Sequence, residues 1–146
     1  MRIALSSDHR GFAAKQHMIE ALRRAGHDIH DFGCDTPEVC DYPDPGLKAA
    51  EAVAGGQCDR GILFCGTGIG ICMAANRHKG VRAADCFTPY HAEITRRHND
   101  CNVLCLGGRL LSEDEAWAIT EVWLETPFEG GRHERRVGLL DREDPV

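Results

Sequence analysis

Five short apolar segments alternate with stretches of helical periodicity, and this alternation restricts the fold more than any other feature of the chain. In the first helical stretch, Ala14, Met18 and Leu22 share one face. A repeated strand–helix order requires parallel strands with helices crossing over both faces of the sheet. The sequence therefore predicts an α/β fold, a three-layer α/β/α sandwich of the Rossmann-like type with a five-stranded parallel sheet. The predicted strands are residues 2–6, 27–31, 61–64, 81–86 and 103–106.

Local signals place several of the boundaries. Residues 32–45 are rich in glycine and proline, which predicts a loop before a short helix at 47–54. Thr88 followed by Pro89 predicts a helix start, and Ser112 with Glu115 has the spacing of a capping box.

The composition limits the functions that the chain can have. With 146 residues it fits one domain, predicted to span residues 1–146, and 42% hydrophobic residues indicate a globular protein. A formal net charge of −6 argues against general binding to nucleic acid or to an anionic membrane surface. An anionic substrate would therefore have to be held by a local cluster of arginine or histidine.

The eight cysteines form no recognisable motif. They include no CxxC pair and no cysteine/histidine spacing of a zinc module. The chain is polar by Ser6, which argues against a signal peptide, and no apolar run approaches the length of a membrane span. These features predict a cytoplasmic protein with reduced thiols, in preference to a disulfide framework.

A glycine-rich run with a thiol at its start is the strongest functional feature. It follows the third apolar segment and reads Cys65-Gly66-Thr67-Gly68-Ile69-Gly70. A strand, a tight turn and a helix start would place loop amides around the sulfur, where they stabilise a thiolate or a bound anion. Ile71 stands where a dinucleotide-binding loop needs glycine and a C-x5-R phosphatase loop needs arginine, and the P-loop lysine is absent. The run predicts a base or nucleophile beside an anion site, the alternative being a turn with a buried cysteine.

The other candidates have structural alternatives of equal or greater weight. Asp8 and His9 follow the first strand and would either contact a ligand or cap a helix. His98 and Asn99 have the pattern of a solvated helix C-terminus. Arg132 and Arg136, four apart on one helix face, would either clamp a phosphate together with Arg109 or form a solvated surface. The remaining histidines, at 17, 27, 30, 78, 91 and 133, receive no role.

Taken in order along nearly the whole chain, these segments resemble the ribose-5-phosphate isomerase B / galactose-6-phosphate isomerase family. The glycine run carries the resemblance together with Ala74-Ala75-Asn76. The other matching stretches are Ser7-Asp8-His9-x-Gly11-Phe12, Asp41-Tyr42-Pro43, Ala52-Val53-Ala54-Gly55-Gly56, His98-Asn99-Asp100-x-Asn102-Val103-Leu104 and Gly130-Gly131-Arg132-His133-x-x-Arg136-Val137.

The resemblance implies an aldose–ketose isomerase that acts on phosphosugars through an enediolate, without metal or cofactor. It implies Cys65 as the base that moves a proton between C1 and C2, where some family members use a glutamate elsewhere, and His98 as the group that helps to open the furanose ring. Thr67 and the loop amides would stabilise the enediolate oxygen. The implied substrate contacts are Asp8, His9, Tyr42, Gly66, Thr67, Gly68, Ile69, Gly70, Asn99, Arg109, Arg132 and Arg136, of which His9 and the three arginines would hold the phosphate.

The expected reaction is ribose 5-phosphate to ribulose 5-phosphate, in the pentose phosphate pathway of carbohydrate metabolism. Allose 6-phosphate, galactose 6-phosphate and a tetrose phosphate remain alternative substrates, and a non-catalytic phosphosugar-binding domain is the alternative from another class. Cys65 follows the third strand and His98 closes the helix before the fifth, so we expect the two at opposite edges of the sheet. A homodimer with shared active sites would bring them together, with a tetramer as the alternative assembly.

Overall fold

The computed structural model describes residues 1–142 and contains a five-stranded sheet in which every paired strand is parallel. The spatial order is β2-β1-β3-β5-β4. The strands are β1 (Arg2–Ser7), β2 (Asp28–Asp31), β3 (Arg60–Cys65), β4 (Ala83–Asp85) and β5 (Val103–Gly107). The predicted fold class is confirmed, although β4 is shorter than predicted.

The helices of the described chain are α1 (Phe12–Arg24), α2 (Pro43–Ala54), α3 (Ile69–Ala75), α4 (Pro89–Asn99), α5 (Glu113–Glu125) and α6 (Arg132–Leu140). Thr88 caps α4 by accepting the His91 N–H, and both halves of the Ser112–Glu115 capping box are present. None of these helices has the length and apolar character needed to cross a membrane.

The predicted loop at 32–45 is too long, because α2 already begins at Pro43. Pro43 and Pro45 lie in the first turn of the helix. A first-turn N–H has no partner within its helix, and the fixed φ of proline suits the helical backbone, so prolines there do not disrupt it.

Alternation along the strands divides the core between the two faces of the sheet. Ile3 and Leu5 pack on one face with side chains of α1, α4 and α5, including the fully buried Trp123. Ala4 and Leu63 point to the other face, where α2 and α3 cover them. This arrangement is the three-layer sandwich predicted from the strand–helix alternation, and α6 packs outside it against α4.

The carboxyl edge of the sheet brings three loops together. Strand β1 pairs with β3, with Ser7 opposite Phe64, and β3 pairs with β5, with Cys65 opposite Gly107. The loops after these three strands therefore leave the same edge, at the point where the strand order reverses, which is where ligands bind in open α/β sheets. Gly11 marks how close the first loop lies, because a Cβ there would be 2.6 Å from the Cβ of Phe64.

Candidate active site

Cys65 is the last residue of β3, and its sulfur accepts a backbone hydrogen bond from the glycine loop. The N–H of Gly68 donates to Sγ at 3.1 Å. Gly68 has a φ of 87°, and α3 begins at the next residue, Ile69. An amide donor at the start of a helix stabilises negative charge on sulfur, as the sequence predicted for this loop.

Thr67 and Tyr42, two of the expected substrate contacts, lie in and against the glycine loop. The exposed hydroxyl oxygen of Thr67 accepts the Ile69 N–H at 3.4 Å. The ring of Tyr42, at the start of α2, lies against Gly70 so closely that a Cβ there would be 2.9 Å from it. Thr67 and Gly70 therefore belong to the loop that follows Cys65, and Tyr42 packs against that loop.

Asp8 orders the loop after β1 and does not cap α1, whose N-cap residue is Gly11 and which has no side-chain cap. Its buried carboxylate accepts the N–H groups of Arg10 and Gly11, both at 2.8 Å, and so orders the loop after β1. His9 is held by another loop. Its Nδ1 lies 3.3 Å from the backbone nitrogen and 3.1 Å from the carbonyl oxygen of Cys40, so either ring tautomer finds a partner there.

Two arginines flank the same loop. A Cβ on Gly66 would lie 3.2 Å from Cδ of Arg10 and 3.8 Å from Cδ of Arg109, and both arginines are exposed. The N–H of Arg109 also donates to the Gly66 carbonyl at 3.2 Å. Sequence analysis missed Arg10. Its position two residues after Asp8, in a loop at the ligand edge, was the available signal.

His98 lies in a different part of the molecule, at the end of α4. Its ring stacks on the ring of His133 in α6, with centroids 4.2 Å apart and planes within 7°. Nε of Arg132 donates to Nε2 of His133 at 3.3 Å. Burial first, and then the neighbouring His98 and Arg132, hold the pKa of His133 below its usual range. Sequence analysis gave His133 no role, because a stack between two helices leaves no spacing signal.

The other candidates of this corner are exposed. Asn99 ends α4, and Arg132 and Arg136 lie on α6. We call His98, Asn99, Arg132, His133 and Arg136 the histidine corner.

The histidine corner and Cys65 lie at opposite edges of the sheet. Cys65 is level with Gly107 at the end of β5, whereas His98 lies five residues before Val103, the first residue of that strand. The strand between them spans about 16 Å at about 3.3 Å per residue. Arg109 stays at the Cys65 edge because it follows β5 directly, so within one chain it is separated from Arg132 and Arg136.

The comparisons with known proteins agree over nearly the whole chain. Residues 3–140 match the family model described as Ribose/Galactose Isomerase. The chain is 45% identical over 139 residues to ribose-5-phosphate isomerase B of Escherichia coli K12, covering 95% of this chain and 93% of that protein. This chain belongs to the ribose/galactose isomerase family. The predicted enzyme class, a sugar-phosphate aldose–ketose isomerase, is confirmed.

Solved structures of family members share the fold closely. Ribose-5-phosphate isomerase B of Clostridium thermocellum has a TM-score of 0.96 at 48% identity, over 97% of this chain and 95% of that one. The enzyme of Mycoplasma genitalium, solved with bound ribulose-5-phosphate, has a TM-score of 0.92 at 39% identity, over 96% and 93% of the two chains.

Within this family fold, one group has the composition of a metal site. Ligand atoms of His98, Glu129 and His133 all lie within 4.8 Å of one another. A metal ion binds in the plane of an imidazole ring, along the nitrogen lone pair. Because the two rings are stacked in parallel planes, one ion cannot lie in both, so this arrangement suits a stacked pair rather than chelation.

A half-buried acid, whose carboxylate oxygens are shielded from solvent, lies directly behind the glycine loop. The Asp85 carboxylate contacts the position that a Cβ on Gly68 would occupy, and neither of its oxygens has a hydrogen-bond partner among the described residues. Burial raises the pKa of Asp85 to about 6. The same contact explains why position 68 takes no side chain.

The prediction of eight reduced thiols is wrong for two of them, because the structure joins Cys34 and Cys40 as a disulfide. Their Cα atoms are 6.6 Å apart, because the chain between β2 and α2 turns back on itself. A separation of six residues matches no cysteine motif, so this pairing depends on the path of the loop. The free thiols of the described chain are Cys58, Cys65, Cys72, Cys86, Cys101 and Cys105.

Proposed function

We propose that this enzyme interconverts ribose 5-phosphate and ribulose 5-phosphate, with Cys65 as the proton-transfer base. The hydrogen bond from the Gly68 amide to Sγ carries the proposal, because it places a stabilised sulfur at the ligand edge of the fold. The relatives named ribose-5-phosphate isomerase B support the choice of substrate.

In this mechanism the thiolate takes the proton from the carbon next to the carbonyl and returns it to the neighbouring carbon. Negative charge develops on the enediolate oxygen, where Thr67 and the amides from Gly66 to Gly70 stabilise it. A placed base contributes about 10²–10⁴ in rate, and one oxyanion donor about 10²–10³. No metal or cofactor takes part in these steps.

The sugar phosphate would be held from several sides. Arg109 and His9 would bind the phosphate, to which Arg10 adds a further exposed positive charge at Gly66. Asp8 and Tyr42 would contact the sugar. Phosphate contacts far from the reacting carbons orient the substrate without taking part in the chemistry.

The remaining groups would come from a second subunit of a homodimer. His98 would open the furanose ring, Asn99 would contact the sugar, and Arg132 with Arg136 would complete the phosphate site. The support is the separation of the histidine corner from Cys65 within one chain. A two-fold axis would place each corner over the other subunit's Cys65, and a tetramer would be a pair of such dimers.

Exposed apolar side chains on α3 and around the start of α4 support this assembly. Ile69 and Met73 are 53% and 67% exposed on α3. Phe87 and Tyr90, at the start of α4, are 42% and 67% exposed. Large exposed apolar groups of this kind mark interaction surfaces when they cluster. The proposal places the enzyme in the cytoplasm, in carbohydrate metabolism.

A coupled isomerase assay with a panel of phosphosugars tests the proposal. Ribose 5-phosphate should give a kcat/KM at least about tenfold above allose 6-phosphate, galactose 6-phosphate and erythrose 4-phosphate, since one fitted contact is worth about that factor. A higher value for another sugar would change the substrate but keep the reaction. Binding without turnover of any of them would indicate a phosphosugar-binding domain.

A further inference from the structure

The segment between β2 and α2 hydrogen-bonds to the body of the protein near Cys34 and at Cys40. We call residues 34–40 the cysteine loop, since the disulfide joins its first residue to its last. Residues 35–39 are all exposed, and the side chain of Val39 is 85% exposed. A hydrogen bond joins Thr36 to Glu38 inside the loop, but none of residues 35–39 is buried, so the attachment of the loop to the rest of the protein depends on what fixes Cys34 and Cys40.

The Cys34 end is tied firmly to the body of the protein. Its N–H donates to the Ser7 carbonyl at 2.6 Å, at the end of β1. Its own carbonyl accepts Nζ of Lys15 at 2.8 Å. Lys15 is fully buried in α1 and also binds the partly exposed Asp31 at 2.7 Å, so this end of the loop is held by a buried ammonium group.

The Cys40 end is tied to the active site instead. The backbone of Cys40 holds Nδ1 of His9, and Tyr42, two residues later, packs on Gly70 of the catalytic loop. The disulfide is a second and shorter covalent connection, beside the chain of residues 35–39, between the anchored end and the end that orients His9. A group that is ordered before binding loses less entropy when the substrate arrives.

We propose that the Cys34–Cys40 disulfide positions His9 for the phosphosugar, so that substrate affinity depends on the redox state of this pair. This inference rests on the proposed function, through the phosphate contact assigned to His9. Neither cysteine touches substrate, and each acts through the Cys40 backbone.

The chemical step is thiol–disulfide exchange with a small dithiol. A thiolate of the dithiol attacks one sulfur of the pair, and the S–S bond between Cys34 and Cys40 breaks. The second thiol then closes on the mixed disulfide. The dithiol is oxidised to its cyclic disulfide, while the two cysteines gain the two electrons and two protons as free thiols.

Opening the link should weaken substrate binding more than it slows turnover. When the Cys40 end is released, the His9 ring can sample other orientations. The entropy cost of ordering this ring when the substrate binds corresponds to a roughly two- to tenfold rise in KM for ribose 5-phosphate. The value of kcat should change less than about twofold, because Cys65 and its amide donors belong to β3 and α3.

The test compares the enzyme oxidised by glutathione disulfide with the enzyme reduced by dithiothreitol, with thiols counted by mass spectrometry after alkylation. Cys40→Ser should have the higher KM under both conditions. Cys72→Ser is the matched control, because Cys72 lies on α3 outside the cysteine loop, and it should keep the redox response of the wild type.

A KM that is unchanged after verified opening of the link would overturn the inference, as would a pair that stays reduced in glutathione disulfide. Calorimetric binding of ribose 5-phosphate to Cys65→Ala separates this inference from the proposed function. Redox-dependent binding without activity in the wild type would disprove only the isomerase function, whereas redox-independent binding would disprove the inference.

Discussion

The Cys65 edge and the histidine corner of this protein are built in different ways. At the Cys65 edge, backbone amides and glycines dominate, and the residues of three loops are tied by short main-chain hydrogen bonds, such as Gly108 N–H to the Cys65 carbonyl at 2.8 Å. At the histidine corner, side chains of two helices meet, with His98 stacked on His133. The first region combines a thiol with backbone amide donors, and the second combines arginine cations with two imidazoles.

This difference indicates that the two regions contribute different steps of the reaction. Proton transfer needs a base and oxyanion donors held rigidly, which the end of a parallel sheet supplies. Phosphate binding and ring opening tolerate longer side chains, which exposed helix surfaces supply. If the two regions act on one sugar, they must come from different subunits, and the following variants test that relation.

The largest expected effect is the loss of the base. Cys65→Ala should lower kcat by at least about 10²-fold, because the variant lacks the proposed proton-transfer base. The melting temperature and calorimetric binding of ribose 5-phosphate should stay close to the wild type. Cys72→Ala is the control and should remain active. Residual activity of about a tenth of wild type in Cys65→Ala would show that another residue is the base.

Mixing two inactive variants tests whether the two regions act in trans. Cys65→Ala and His98→Ala subunits, unfolded together and refolded, should recover roughly a quarter of wild-type activity. Half of the dimers in a random mixture are mixed, and each of these has one intact site. A mixture that stays inactive after mass spectrometry has confirmed subunit exchange would place His98 in the site of its own chain.

The arginines of α6 should affect phosphate binding selectively. Arg132→Ala or Arg136→Ala should raise KM for ribose 5-phosphate about 10- to 100-fold, the worth of one charge-assisted hydrogen bond. The low rate on unphosphorylated ribose should hardly change. Arg135→Ala, an exposed neighbour on the same helix, should behave like the wild type. Equal losses on both sugars would indicate a structural role for the pair.

Asp85 gives the Cys65 edge a pH dependence of its own. Its pKa is raised to about 6 by burial, so its protonated form stabilises the fold, fully below about pH 4, and this contribution is lost as the pH rises through 6. Asp85→Asn should therefore unfold at the same urea concentration as the wild type at pH 4. At pH 8 it should be more stable by about 1–2 kcal/mol, allowing for screening by solvent.

The pKa of Asp59 is shifted in the opposite direction to that of Asp85. A hydrogen bond from Arg2 lowers the pKa of Asp59 to about 2, so its contribution is present above about pH 4 and is lost as the pH falls through 2. Asp59→Asn should be less stable than the wild type at neutral pH, and the difference should shrink towards pH 2. A variant of Asp85 that followed this second pattern would mean that the carboxylate has a charged partner.

Most of the fold and the Cys65 half of the site were predictable because the signals are local. The apolar period identifies strands and helices, and a thiol before three alternating glycines describes the turn within six residues of chain. Two helix boundaries followed from Thr88 and from the Ser112–Glu115 box for the same reason, since each cap is a contact between near neighbours. The start of α2 was predicted too late in the chain, because proline disrupts the interior of a helix but is also common in its first turn.

Only the tertiary structure decided which distant segments meet. The stack of His98 on His133 joins two helices, the approach of Arg10 to Gly66 joins two loops, and the link from Cys34 to Cys40 depends on the fold of a loop whose interior is exposed. None of these contacts repeats with a period or follows a motif. Each depends on the order of strands in the sheet and on how helices pack across it. Local structure and local chemistry could therefore be predicted from the sequence. The contacts between side chains that are distant in sequence could not, because they depend on how the strands and helices pack.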